Sequence, residues 1–191
     1  MTLSGSAWAA WYAYWMVSAR KRVRGTAQQP AVREPLLGRV LYLGLMSVGF
    51  ILLFRHLFWP VAEIQMWPSS GVSLAVGLAV QVAGLAFAIW ARHTLGTNWA
   101  ARVTTGSSQE LIAHGPYGKV RHPIYSGLLL AVLGTAILVG QVRAFAGLLL
   151  VIIGVAMKIR REEAALRRHF GEAYDLYAAR VPALLPGLGR R

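Results

Sequence analysis

The 191 residues make one domain, and with 56% of them hydrophobic the chain carries more apolar surface than a soluble domain of that size buries. No cysteine is present, which excludes disulfide frameworks, thiolate zinc sites and thiol nucleophiles. The net charge of +13 would suit nucleic acid in a soluble protein, but here the 20 basic residues alternate with long apolar runs, so the charge reads as membrane orientation and a nucleic-acid partner is set aside.

A helix crosses the hydrocarbon core with about 20 mostly apolar residues, and about 17 to 25 are tolerated. Five stretches qualify. The first, residues 3–19, is rich in Trp8, Trp11, Tyr12, Tyr14 and Trp15. It lacks the basic start and clean cleavage site of a signal peptide and is read as a retained helix. After a polar, proline-punctuated linker from Gly25 to Pro35 comes the second, residues 36–58, whose far end carries His56 beside Trp59 as an interface belt. The third covers residues 71–91. Residues 92–121 are then long for a mere connection and mixed in character, as functional loops often are. The fourth and fifth spans, residues 124–141 and 144–158, are separated only by Gln141, Val142 and Arg143, which predicts a tight antiparallel hairpin. The expected fold is therefore an all-α integral membrane domain of five transmembrane helices, with a C-terminal hairpin and its chemistry in cytoplasmic segments of the half from 92 to 186.

Loop charge sets the orientation, because Lys and Arg concentrate on the cytoplasmic side. Eighteen of the 20 basic residues fall after spans one, three and five, and only Arg55 and Arg143 lie on the opposite face. The N-terminus is expected outside and the C-terminus inside. Seventeen of the 20 are arginines, which with abundant alanine hints at a GC-rich genome and a bacterial inner membrane.

Three polar stretches share the basic face: Leu95 to Trp99, His114 to Gly127, and Lys158 to Pro182. Pro123 has no amide proton to lose and suits a first helical turn, so a helix should start near His122 and gather Arg121, His122 and Tyr125 at its mouth. Its free N–H groups would attract a carboxylate or phosphate. Beyond Lys158, Leu166, Phe170, Tyr174 and Tyr177 recur at helical spacing and form one inward stripe if the helix persists past Gly171. Glu162 continues that stripe, whereas Glu163 turns to a neighbouring face with Arg167 as its i+4 partner. Each residue has a plainer reading. Arg121, Arg160 and Arg161 could be anchors reaching the headgroups, His122 a helix cap, and Glu163 with Arg167 a solvated pair. His93 and His169 show no metal-ligand spacing, so no metal is assigned.

Taken together, LGTNW, GPYGKVRHPIY, the tight hairpin, RREE and HFGEAYDLYAARVP resemble, in order and spacing, the isoprenylcysteine carboxyl methyltransferase family, membrane enzymes that use S-adenosylmethionine. The resemblance covers residues 92–186. It implies that the cofactor lies between the GPY to RHPxY segment and the glutamates after the hairpin, at His114, Gly115, Pro116, Tyr117, Val120, His122, Pro123, Tyr125 and Glu162 or Glu163.

S-adenosyl-L-methionine carries an ammonium, a carboxylate and a sulfonium, for which a glutamate, helix-start amides and the rings of Tyr117 or Tyr125 are suitable partners. An acceptor carboxylate is already ionised and needs only a positive group to hold it, which makes Arg160 and Arg161, with Glu162, the candidate catalytic residues. The substrate would be a lipophilic or lipidated molecule drawn from the bilayer lipids, most naturally one resembling prenylcysteine. The rival readings are a phospholipid amine N-methyltransferase and an NADPH-dependent membrane double-bond reductase on the same scaffold. No G-x-G-x-x-G follows a strand, so the membrane bundle itself must bind the cofactor.

Overall fold

Long apolar runs satisfy their backbone hydrogen bonds internally only as helices, and the computed structural model, which describes residues 2–23, 35–54, 64–96 and 111–187, is built from them. In chain order they are α1 (Thr2–Val23), α2 (Leu36–Phe54), α3 (Gly71–Leu95), α4 (Pro123–Val139), α5 (Val142–Phe170) and the short α6 (Glu172–Arg180). Among the described residues there is no strand, only one isolated antiparallel bridge between Gln65 and Gln141. Three helices, α2, α3 and α5, are long and apolar enough to cross a membrane, and α4 is apolar but only 17 residues long.

Several boundaries differ from those expected. Helix α3 runs four residues past the predicted end, taking Arg92 into the helix. The hairpin turn is Gly140 and Gln141, so Val142 and Arg143 belong to α5. Gly140 sits at φ +63, and a Cβ there would lie 2.9 Å from Trp67 Nε1, so the position needs glycine twice over. The larger correction is at Gly171. Its φ of +54 ends α5, so Tyr174 and Tyr177 belong to α6 and do not continue the stripe of Leu166 and Phe170 on one helix.

Glycine lets the helices pack backbone to backbone. A Cβ on Gly127 of α4 would lie 2.5 Å from the Gly84 carbonyl of α3, and one on Gly147 of α5 would lie 2.6 Å from the Gly49 carbonyl of α2. The pairings descend along one partner as they ascend along the other: Gly77 meets Gly134 where Gly84 meets Gly127, and Gly49 meets Gly147 where Tyr42 meets Gly154. Both pairs, α3 with α4 and α2 with α5, are thus antiparallel. Helix α1 runs parallel to α3, because Gln81 Nε2 donates to the Ser4 carbonyl at 3.0 Å near one end and Arg92 Nη2 to the Ser18 carbonyl at 3.3 Å near the other. Between them Trp8 Nε1 donates to Thr135 Oγ1 on α4 at 3.0 Å. The five long helices therefore alternate in direction.

The core gathers Leu53, Val132, Ala136, Ala144, Val151 and Val155. Leu37, Val40, Val72, Val76, Val82, Leu149 and Ile152 point outward and exposed, a surface suited to lipid rather than water. Buried Arg143, expected on the outer face, donates Nη1 to the carbonyls of Leu52 and Leu53, the last turn of α2, and Nε to Gln141 Oε1 at 2.7 Å. A cation at a helix C-terminus meets both the orphan carbonyls and the dipole.

Candidate active site at the start of α4

At the end of the bundle where α3 finishes, Gly115–Gly118 form a 3-10 turn that leads into α4. His122 and Pro123 occupy the cap and first helical positions of α4, as proline chemistry predicts, but the His122 side chain does not cap. It turns to α5 instead. Its Nε2 lies 3.2 Å from Glu163 Oε1 and its Nδ1 3.9 Å from Glu162 Oε2, so each nitrogen faces one carboxylate. The Tyr125 hydroxyl, three residues on, donates to Glu162 Oε1 at 2.6 Å, and its ring stacks on His122 with centroids 5.9 Å apart. Lys158, one turn earlier on α5, approaches the same Glu162 oxygen at 3.4 Å.

Glu163 is the more deeply held carboxylate, with 12% of its side chain exposed against 24% for Glu162. This corrects the expectation of a surface pair with Arg167. Arg167 Nη2 is 3.8 Å away and its Nε serves Asp175 at 3.1 Å, whereas Arg121 donates both Nε and Nη2 to Glu163 Oε1 at 2.9 and 2.6 Å. Burial alone would push the Glu163 carboxyl up, but the hydrogen bonds and charges of His122 and Arg121 together outweigh it and bring its pKa down to about 2.

Arg121 is not a headgroup anchor. Its Nη1 also donates to the carbonyls of Ala178 and Val181, at 3.0 and 2.6 Å, which ties α4, α5, α6 and the following segment together. That segment closes over the site. The amides of Arg121 and His122 donate to the carbonyls of Pro182 and Ala183 at 2.8 and 3.0 Å, so the amides preceding Pro123 are already spent on the chain itself. Ser126 Oγ donates to the Leu184 carbonyl and the Tyr177 hydroxyl to the Tyr117 carbonyl, at 2.6 and 2.7 Å. Desolvation raises the phenol of Tyr117, whose surroundings include Tyr177, Glu162 and Arg92, and raises Tyr177 to about 12, so both remain neutral donors at any physiological pH.

Of the residues predicted for this site, the structure brings together His122, Tyr125, Glu162 and Glu163, with Tyr117 behind them. Pro116, Val120 and Pro123 are buried in the segment that leads into α4. His114 and Gly115 are exposed, and Gly115 takes φ +59. Arg160 is exposed, whereas Arg161 turns toward α2. Thr97, Asn98 and Trp99 of the LGTNW stretch, like Arg55, His56, Trp59 and most of the linker from Gly25 to Pro35, lie outside the described residues. The clamp by Arg121 and the closure by residues 181–184 were missed from sequence, since each joins segments about 60 residues apart with no local periodicity to betray it. Among the described residues no cluster of three or more His, Asp or Glu could hold a metal ion.

The sequence model of one family, described as phospholipid methyltransferase, matches residues 72–173, more than half of the chain, including all of α4 and α5 and all of α3 but its first residue. The chain belongs to the phospholipid methyltransferase family. Within it the chain is similar to a probable protein-S-isoprenylcysteine O-methyltransferase of Oryza sativa, at 33% identity over 58% of this chain and 60% of that protein. It is also similar to methanethiol S-methyltransferase 2 of Bradyrhizobium diazoefficiens, at 30% identity over 80% of this chain and 61% of that protein. Among solved structures it is similar to the eukaryotic intramembrane Ras methyltransferase, isoprenylcysteine carboxyl methyltransferase, with a TM-score of 0.56 and 25% identity, covering 82% of this chain and 55% of that one. The resemblance read from the motifs is thus carried by relatives and by fold, and the chain is an integral membrane protein. It spans about 60% of the length of these two curated relatives.

Proposed function

We propose that this protein is an S-adenosylmethionine-dependent methyltransferase that methylates the carboxylate of a lipophilic, prenylcysteine-like acceptor at the membrane surface. The observation that carries the reading is the meeting of Glu162, His122 and Tyr125 where the start of α4 packs against the last turns of α5. The residues suit this cofactor: a part-exposed carboxylate for an ammonium, aromatic rings for a cation, and buried prolines that fix the backbone around them. When bound, S-adenosylmethionine supplies a sulfonium-activated methyl for direct displacement and leaves as a neutral thioether. Glu162 is the group free enough to exchange Lys158 for a ligand ammonium, while Glu163, tied to Arg121, sets the position of the helix turn that carries it. The neutral Tyr125 hydroxyl holds Glu162 in place. The acceptor carboxylate needs no general base, and the cations at 158, 160 and 161 give its side of the site a positive character.

The alternating helix directions and the 18 to 2 charge division support five crossings, with the N-terminus outside and this site on the cytoplasmic side of a bacterial inner membrane. A polar cofactor then arrives from the cytosol and a greasy acceptor from the bilayer. The family description favours one second reading, methylation of a phospholipid amine. Incubating the purified protein with methyl-tritiated S-adenosylmethionine and a simple prenylcysteine decides between them. Base-labile label on the prenylcysteine is the expected product, whereas label appearing only as base-stable methylamine on added phospholipid would install the second reading. Binding of labelled NADPH in place of S-adenosylmethionine would overturn both.

A further inference from the structure

Helix α5 turns successive residues to different partners. Glu162 and Glu163 face α4, but Arg161, one residue earlier, faces α2. There the guanidinium lies in a notch left by Gly38, whose missing Cβ would overlap Nη1, Nη2 and Cζ of Arg161. Its Cζ stands 5.6 Å from the centroid of the Tyr42 ring, one turn further along α2, and Tyr42 is 3% exposed. Lys158 shares that ring at 5.3 Å but is engaged with Glu162. Arg161 is different. Among the described residues no carboxylate pairs with it, and its Nη1 is fully buried without a hydrogen-bond partner.

A buried, unpaired N–H on a permanent cation is costly, and native structures retain one where it has a task. A planar guanidinium held against a ring face and a glycine notch is also preorganised, which suits bidentate capture of a carboxylate. We propose that Arg161, seated on Gly38 and Tyr42, is the group that orients the acceptor carboxylate, and that α2 therefore builds the acceptor side of the site while α4 builds the cofactor side. The assignment rests on the methyl-transfer reading above and deepens it. Arg160, exposed on the same turn, has no such seat and acts as a surface charge.

Gly38 offers a test that leaves every charge in place. A methyl group at this position meets only the far end of a flexible side chain, so Gly38→Ala folds but displaces the guanidinium from its notch. Binding of S-farnesylcysteine and of its methyl ester, which keeps the thioether and tail but lacks the anion, is measured on the full chain by competition. Wild type should prefer the acid by about tenfold, equivalent to about 1.4 kcal/mol. Gly38→Ala and Arg161→Lys should each bring the ratio near one and raise the acceptor KM, with S-adenosylmethionine affinity and melting temperature unchanged. Arg160→Lys should keep the ratio. A ratio that survives in both Gly38→Ala and Arg161→Lys overturns the assignment while leaving the methyltransferase reading intact. So does a ratio that survives while binding to phosphatidylglycerol vesicles falls, since Arg161 would then hold a lipid phosphate. If wild type neither binds the acid nor methylates it, the functional reading falls and takes the assignment with it.

Discussion

Replacing Arg121 by alanine should loosen the whole closing segment. The side chain makes two hydrogen bonds to Glu163 and one each to the carbonyls of Ala178 and Val181, and 13% of it is exposed. The Glu163 carboxyl stands at about 2 against an ordinary 4.5. Each pKa unit corresponds to 1.36 kcal/mol, so the carboxylate, held by His122 as well as Arg121, adds about 3 kcal/mol to stability at neutral pH, and removing Arg121 as one partner of a buried pair costs about as much. Because the folded pKa is depressed, this stabilisation is complete above the unfolded value near 4.5 and drains away as pH falls toward 2. Arg121→Ala in detergent should therefore melt roughly 6–12 °C lower at neutral pH for a chain of this length. It should also lose the Arg121 share of the acid destabilisation of wild type below pH 4.5 while keeping the share held by His122, and be cut by protease within residues 171–187 first. A variant that melts with wild type and keeps the full acid loss would show that the clamp does not hold the segment.

Glu162→Gln should lower S-adenosylmethionine affinity about tenfold or more while melting near wild type, whereas Glu163→Gln should mainly lower the melting temperature; calorimetry on both variants distinguishes binding from folding. The ordering would be wrong if Glu163→Gln lost more affinity at equal stability. Gly127→Val places methyl groups against the α3 backbone, where even a Cβ would lie 2.5 Å from the Gly84 carbonyl, so the helices must separate. Overpacking of about 1–3 kcal/mol or more should appear as reduced folded yield and melting temperature, and unchanged melting would contradict the close approach. A reporter fused after Arg191 should be cytoplasmic and one inserted between Glu63 and Ser70 external, and finding both on one side would overturn the five-crossing topology.

The helices themselves were legible because apolar runs of membrane length have one good backbone solution, and Pro123 announced where α4 starts. The grouping of His122, Tyr125 and the two glutamates was equally legible, from motif order. What periodicity could not supply was the break at Gly171, where a single residue at positive φ resets the phase for Tyr174 and Tyr177. The expected partner of Glu163 was wrong for a related reason. A helical wheel names local partners such as Arg167 for Glu163, but Arg121 reaches it from 42 residues away and outcompetes them. The role of α2 was hidden altogether, since Gly38 and Tyr42 become meaningful only when Arg161 lies across them.

The unbroken length of α5 acts as a ruler. Its 29 residues extend about 44 Å at 1.5 Å each, well beyond a hydrocarbon core of about 30 Å. Glu162 stands 20 residues after Val142, so the rise along the rod from the hairpin turn to the carboxylates is about one hydrocarbon thickness. A rigid rod of that length couples the depth of the reacting groups to the width of the bilayer. In thicker membranes the carboxylates are drawn toward the acyl chains, and in thinner ones they are pushed into water, away from a lipid-borne acceptor. Turnover in vesicles of graded acyl length should accordingly pass through a maximum, and adding or deleting one helical turn between Gly147 and Val155 should move that maximum by about 5 Å of bilayer thickness.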